Sequence, residues 1–225
     1  MGSLLVAVLP LALGAAVSPT LLALQLLVLT GTTDHRLARA WALVLGSALV
    51  LGVFSILCAT VLHRVHPHHG SHTSVTDAVV LLASGALLGL LALRSLAGRP
   101  TVGERQPSAI TARLGTASTG WFVGVGALGM VVNFSTLLLV LPAIHEITHS
   151  TATTVTQVAV FVVVAVIVLL PVLGPVVLVT VLGSGADRML AAAHTWVGAH
   201  SRMIAVVIEV VFAAYLVVKG VRALP

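Results

Sequence analysis

The feature that most constrains the fold of this chain is a series of apolar stretches that leaves little room for anything else. Each is long enough to cross a bilayer, which takes about 20 mostly apolar residues. The six stretches are Leu4–Leu29, Ala40–Leu62, Val75–Leu96, Trp121–Ile144, Val155–Leu182 and Met203–Val221. With 59% hydrophobic and only 8% charged residues, the chain cannot pack as a soluble globule. We therefore predict an all-α integral membrane protein of six transmembrane helices.

The polar segments between these stretches are too short to fold on their own. The longest, around Ala97–Ser118 and Gly183–Arg202, each hold about twenty residues. We predict a single transmembrane domain over residues 1–225. No phosphate-binding loop of the G-x-x-x-x-G-K-[ST] type is present, so ATP is not expected to be the direct energy source. No nucleophile and base converge in the sequence pattern, and we expect neither an enzyme nor a cofactor.

The basic residues predict the orientation, because cytoplasmic loops carry an excess of Lys and Arg. Eight of them fall in the loops after the first, third and fifth spans, and three fall on the other side. Both termini are therefore expected outside a plasma membrane. The net charge of +5 follows mostly from this asymmetry and favours anionic headgroups, so nucleic acid is not an expected partner. The strong preference for Arg over Lys indicates high-GC coding and an actinobacterial source.

A short motif recurs 115 residues apart. Ala12-Leu13-Gly14 returns as Ala127-Leu128-Gly129, and at the same offset Val17, Ser18 and Thr20 correspond to Val132, Asn133 and Ser135. Three spans separate the copies, which predicts two inverted three-helix repeats, about 1–98 and about 118–225, joined by a cytoplasmic linker at about 97–117. Chance matches in an Ala/Leu/Gly-rich chain are the alternative.

Polar residues near the middle of a span are costly and predict a site. Pro19 lacks an N–H and disfavours helix at Ser18, while Asn133 can bond local backbone, so spans one and four are expected to be broken at the midplane. Glu209 is the only acidic residue well inside a span. The predicted substrate-binding residues are Ser18, Pro19, Gln25, Asn133, Ser135 and Glu209.

The residues at the two breaks and Glu209 also have plainer interpretations. Ser18-Pro19 and Asn133 suit a proline kink and a polar contact between helices. Glu209 could relay a proton or pair with a cationic substrate group, and its plainer interpretation is a bond to Arg202 or to a neighbouring hydroxyl. Lys219, near the end of span six, is expected to extend its ammonium group outward to the membrane surface.

Two further segments carry structural predictions. Pro171 and Pro175 should kink or interrupt span five. The stretch Ala186–Val197 has apolar residues at helical spacing and predicts a separate short helix at the cytoplasmic interface, with Trp196 at headgroup level.

Histidine-rich motifs on the outer side suggest metal binding, but we predict no metal site. His145-Glu146-Ile147-Thr148-His149 matches the H-E-x-x-H zinc motif. It lies at the end of a span with no acidic third ligand on that side beyond Asp77, so we interpret it as a coincidence. The loop between spans two and three is irregular in its spacing and interrupted by proline and glycine. Its histidines are His63, His66, His68, His69 and His72.

The whole chain resembles the glycopeptidolipid- and sulfolipid-addressing proteins (GAP or Sap) of the lysine-exporter superfamily. The resemblance rests on the two Ala-Leu-Gly motifs leading into Ser18-Pro19 and Asn133, and on the tail from Pro171 to Gly220. One departure is Asn133-Phe134-Ser135-Thr136, where relatives often have Asn-Pro-Lys-Asn; the missing Lys leaves the substrate's charge open. The resemblance implies a role in moving or addressing envelope glycolipids to the cell surface, beside a larger lipid exporter.

Two alternatives stay open beside this expectation of a lipid-handling transporter or accessory factor. One is an exporter of small cationic solutes or divalent metal ions, suggested by Glu209 and the outer histidines. The other is a structural partner that stabilises a larger lipid exporter. Gly85 and Gly89, spaced as G-x-x-x-G, permit close helix packing either within one chain or in a homo-oligomer.

Overall fold

The computed structural model describes residues 2–31, 35–65, 75–97 and 117–224, and these residues are almost entirely helical. Within those ranges there are eight α-helices and no strand. In chain order they are α1 (Gly2–Ala16), α2 (Pro19–Leu29), α3 (Arg36–Val65), α4 (Val75–Leu96), α5 (Thr119–Val132), α6 (Phe134–Thr148), α7 (Thr154–Leu182) and α8 (Ala186–Arg222). A single turn of 3-10 helix, Gly183–Gly185, joins α7 to α8.

Four of these helices, α3, α4, α7 and α8, are each long and apolar enough to cross a membrane alone. The pairs α1–α2 and α5–α6 are long enough only when each pair is taken together, and they bend by 54° and 72° at their breaks. The described part of the chain is therefore all-helical, and it has the four to six candidate spans of a multi-pass membrane protein. The helix breaks predicted at Ser18-Pro19 and Asn133 are confirmed, whereas their depth in a bilayer stays a prediction.

Glycines let two helix pairs approach closely. A Cβ atom on Gly46 of α3 would collide with the Val123 carbonyl oxygen of α5, and one on Gly126 would collide with the Leu43 carbonyl oxygen. On α4, a Cβ at Gly85 would lie 3.2 Å from the Ala213 carbonyl oxygen of α8. Small residues at such crossings are typical of membrane helix pairs. The close contact predicted from Gly85 therefore forms within one chain.

The sequence-based prediction of a separate short helix before span six is wrong. The stretch Ala186–Val197 is not a separate helix, because α8 runs without a break for 37 residues to Arg222. Residues 198–202 contain no proline that would end it. Pro171 and Pro175 both lie inside α7, which continues through them, so they do not interrupt it, while the alternative of a kink stays a prediction. Membrane helices tolerate proline where neighbouring groups accommodate the freed carbonyls.

Candidate functional site

The first break, between α1 and α2, lies at Ser18-Pro19, where Pro19 lacks an N–H and disfavours helical backbone at Ser18. Ser18 has an extended backbone with φ −118° and ψ 93°, and Pro19 occupies the first position of α2. The Ser18 hydroxyl oxygen caps the new helix by accepting a hydrogen bond from the Leu21 N–H at 3.3 Å. Serine before a proline at the first helical position is a common way to begin a helix.

The second break, at Asn133, contacts the first break directly. Asn133 ends α5 and precedes α6, with φ −78° and ψ 65°. Its side-chain Nδ2 donates to the Ser18 Oγ at 2.7 Å and to the Thr136 Oγ1 at 2.7 Å. The Ser135 hydroxyl donates to the Asn133 Oδ1 at 3.3 Å. Two residues that correspond at the offset of the repeated motif therefore share a hydrogen bond.

Thr136 repairs a backbone defect in the first break. In a continuous helix the Ala15 carbonyl would accept a hydrogen bond from residue 19, but Pro19 has no N–H. The Thr136 hydroxyl donates to this carbonyl at 3.0 Å, and Thr136 is itself buried. Sequence reasoning missed this residue. The one available signal was its position three residues after Asn133, next to a predicted break.

A small cavity of about 60 Å³ opens beside this network. Both breaks, α4 and α8 contribute to its wall. The lining residues are Gly14, Val17, Pro19, Thr20, Leu91, Val132, Asn133, Phe134, Ser135, Leu139, Ala205, Ile208 and Glu209. Since a cavity needs roughly 10–15 Å³ to admit one water molecule, this one has room for a few.

Most of the predicted site residues meet around this cavity, and one does not. Pro19, Asn133, Ser135 and Glu209 line it, and Ser18 bonds Asn133 at its edge. Gln25 lies elsewhere, fully buried between α2 and α3, where its Nε2 donates to the Ala40 carbonyl at 3.4 Å.

Glu209 does not form the ion pair with Arg202 that the sequence suggested as one alternative. The Arg202 guanidinium instead donates to the Ser95 carbonyl at 2.6 and 3.0 Å and to the Leu96 carbonyl at 3.2 Å. It thereby satisfies carbonyls at the C-terminal end of α4, where a cation also interacts favourably with the helix dipole. Glu209 of α8 faces the Ser95 hydroxyl of α4 and is only 5% exposed.

At the other end of α8, Lys219 forms an ion pair with Glu146 of the H-E-x-x-H segment. Both side chains are 31% exposed. Lys219 thus contacts a partner that the sequence did not predict. The rings of His145 and His149 lie 4.5 Å apart, centre to centre. No group of three potential metal ligands occurs among the described residues, and the histidine-rich loop at 66–72 lies outside them.

Together the fold and the site define a multi-pass helical membrane protein in which two broken helices meet at a polar cavity. The family model described as Sap, sulfolipid-1-addressing protein, matches residues 8–222, and the chain therefore belongs to this family. The family part of the sequence-based resemblance is confirmed, while membership of the lysine-exporter superfamily stays a prediction. Comparison with curated proteins and with solved structures gave no match.

Proposed function

We propose that this protein moves or addresses an envelope lipid to the cell surface, with the polar headgroup passing the cavity between the two helix breaks. Membership in the sulfolipid-1-addressing family suggests a role in lipid addressing or export. The observation that supports this location is the hydrogen bond from Asn133 to Ser18, which joins two polar breaks inside an apolar protein. The acyl chains remain in the bilayer, which suits a chain with so few charges.

The cavity is too small for a headgroup in the present arrangement. Its volume of about 60 Å³ compares with roughly 300–1,000 Å³ for ordinary ligand sites. Passage therefore needs the two breaks to separate, which breaks the Asn133–Ser18 and Thr136–Ala15 hydrogen bonds. Non-helical backbone within a membrane is tolerated where it lines a wet cavity, so the exposed groups then find water or headgroup oxygens.

Tertiary contacts support six crossings with both bent pairs spanning the membrane. The Arg39 guanidinium at the start of α3 donates to the Ala117 carbonyl just before α5 at 2.9 Å. Lys219 near the end of α8 pairs with Glu146 near the end of α6. Arg39 and Lys219 lie at opposite ends of the helix bundle, so α5 and α6 run from one end to the other, as a broken span does.

The pattern of helix contacts supports the inverted repeat. If α1–α2, α3 and α4 correspond to α5–α6, α7 and α8, exchanging the halves maps most of the helix contacts onto other contacts or onto themselves. The α4–α8 pair maps onto itself, α3–α5 onto α7–α1, α2–α8 onto α6–α4, and α2–α7 onto α6–α3. All of these pairs are in contact. Transporters built from inverted repeats place their sites at broken helices in this way.

The test compares surface-extracted with total-cell lipids by mass spectrometry in the parent strain and a strain lacking this gene. We expect one lipid to stay abundant in total extracts and to fall in the surface fraction. Complementation with the wild-type gene should restore it, and Asn133→Ala should not. Gln157→Ala is the matched control, because it removes an amide that bonds Ser150 in a loop away from the cavity. An unchanged lipid profile in the deletion strain would refute the proposal.

A second candidate function is the export of a small cation, which the buried carboxylate side chain of Glu209 in the cavity wall favours. It predicts that the deletion strain becomes sensitive to one cationic solute or metal while its surface lipids stay normal. A purely structural role beside a larger exporter predicts instead that Asn133→Ala and Glu209→Gln both leave the amount of surface lipid at the wild-type level.

A further inference from the structure

Glu209 has an unusual combination of burial and missing partners. Its side chain lines the cavity and is 5% exposed. Its Oε2 has no hydrogen-bond partner among the described protein groups, while the Ser95 hydroxyl faces the carboxyl from α4. A buried carboxyl group in an apolar protein is a functional candidate, because burying it costs free energy that an apolar side chain at the same position would not cost.

Within the described ranges, no cation forms an ion pair with this carboxyl group. Arg202 lies two turns earlier on α8, and its guanidinium donates to the Ser95 and Leu96 carbonyls without forming an ion pair with Glu209. Lys219 is nearly three turns later and pairs with Glu146. The side chain of Arg94 on α4 is exposed.

The other helices packed against α8 offer no replacement. The described helices α1, α2 and α7 contain no ionisable residue, and neither does α5. His145 and Glu146 of α6 lie at the Lys219 end of the bundle, and Tyr215 of α8 is exposed. Asp77, at the start of α4, lies at the opposite end of that helix from Ser95.

We infer that Glu209 is a proton-binding site that couples opening of the cavity to proton movement across the membrane. In the closed arrangement the carboxyl group carries its proton, because a buried carboxylate without an ion-pair partner is strongly disfavoured. When the cavity opens and fills with water, the proton passes from the carboxyl oxygen to a water molecule and leaves as hydronium. The hydrated carboxylate stays behind and takes up a proton before the cavity closes again.

The geometry provides what this exchange needs. The cavity already has room for a few water molecules beside Glu209, and Asn133 and Ser135 offer polar groups on the facing wall. The break residues and the carboxyl group share one cavity, so separation of the breaks changes the water access of Glu209 directly. The coupling to export rests on the proposed function, whereas the proton-binding site itself does not.

Infrared difference spectroscopy on the full-length protein in vesicles of phosphatidylglycerol and phosphatidylethanolamine tests the proton-binding site. At neutral pH we expect a carbonyl band of a protonated, buried carboxyl group in the wild type, and its loss in Glu209→Gln. Glu146→Gln is the control, because that carboxylate is paired with Lys219 and half-exposed, and its removal should leave the band unchanged. A wild-type spectrum without the band, or a band that persists in Glu209→Gln, would overturn the inference.

The surface-lipid assay tests whether proton binding at Glu209 is coupled to lipid export, separately from whether the protein exports lipid at all. In the surface-lipid assay we expect Glu209→Gln to lower the surface fraction as far as deletion does, with Glu209→Asp retaining part of it. Thermal unfolding of each variant in detergent checks that it folds. If deletion removes surface lipid but a folded Glu209→Gln restores it fully, the coupling fails and the proposed function stands. If the infrared band is lost in Glu209→Gln and deletion leaves lipids unchanged, the proton site stands and the lipid function fails.

Discussion

At the scale of single residues, the candidate site results from one proline and the three side chains that compensate for it. Pro19 removes the N–H that would bond the Ala15 carbonyl, and the Thr136 hydroxyl replaces it from a different helix. Ser18 caps the following helix and accepts from Asn133. A backbone defect in one half of the chain is thus repaired by the corresponding break in the other half, which fixes the two breaks against each other.

The role of Thr136 can be tested by Thr136→Val, which keeps the shape of the side chain and removes its hydroxyl. The Ala15 carbonyl then loses its donor in a buried position, and we expect the free energy of unfolding to fall by about 1–3 kcal/mol. Denaturant titration in detergent micelles measures this change.

Thr180→Val is the matched control for Thr136→Val. The Thr180 hydroxyl donates to Val176, four residues earlier in the same helix. That carbonyl also accepts the backbone N–H of residue 180, so we expect little change in the control. Equal stability of the Thr136 variant and the wild type would show that the hydrogen bond from Thr136 to the Ala15 carbonyl does not stabilise the fold.

Much of the site was predictable at this scale, and the exceptions have a common cause. Ser18, Pro19, Asn133 and Glu209 stand out because polar or helix-breaking residues are costly in an apolar stretch. Thr136 does not stand out, because threonine in a membrane helix commonly bonds its own preceding turn. Its actual partner is 121 residues away in the chain. Tertiary contacts of this kind leave no local pattern in a sequence.

At the scale of helices, close approach through glycine determines which helices pair. Gly46 and Gly126 bring the backbones of α3 and α5 together so tightly that neither position has space for a methyl group. The apolar pattern predicted where the helices lie in the sequence but not these pairs. The apolar pattern also gave the wrong start for α8. The polarity of the sequence changes around residue 200, but helical hydrogen bonding continues through that point.

The α3–α5 crossing can be tested by Gly46→Ala. The added methyl group would meet the Val123 carbonyl and the Ala127 nitrogen, which are backbone atoms and cannot rotate away. We expect a loss of about 1–3 kcal/mol in the free energy of unfolding, as is typical of overpacking. Thermal and denaturant unfolding in detergent provide the measurement.

Gly124→Ala is the matched control for the α3–α5 crossing, because a Cβ atom there meets nothing within 4 Å. Alanine is the better helix former by up to about 1 kcal/mol, so this variant should be as stable as the wild type or slightly more stable. If Gly46→Ala behaves like Gly124→Ala, the two helices do not cross as closely as the structure places them.

At the scale of the whole molecule, the number of crossings decides whether the two breaks form part of a path. If α5–α6 is a broken span, α7 begins on the side where Lys219 lies and ends on the side of Arg202. If α5–α6 instead enters and leaves on one side, α7 runs the opposite way. The residues after α6 and after α7 therefore exchange sides between the two architectures, and labelling these two loops distinguishes them.

The decisive measurement uses single cysteines in a Cys58→Ser background, since Cys58 is the only native cysteine. Thr151→Cys lies in the exposed loop after α6, and Gly185→Cys lies in the exposed turn before α8. With six crossings and both termini outside, a membrane-impermeant maleimide should label Thr151→Cys on intact cells. Gly185→Cys should react only after the membrane is permeabilised. The reverse pattern would mean that α5–α6 is re-entrant or that the whole orientation is inverted.

A single cysteine at Ala97→Cys, in the exposed turn after α4, separates those two explanations of a reversed pattern. An inverted protein with six crossings places residue 97 outside, whereas a re-entrant α5–α6 leaves the first three spans unchanged and keeps residue 97 inside. In the re-entrant case the cavity at Asn133 opens to one side of the membrane only, and a headgroup could not cross through it. The labelling experiment therefore tests the architecture on which both the proposed lipid path and the proton coupling depend.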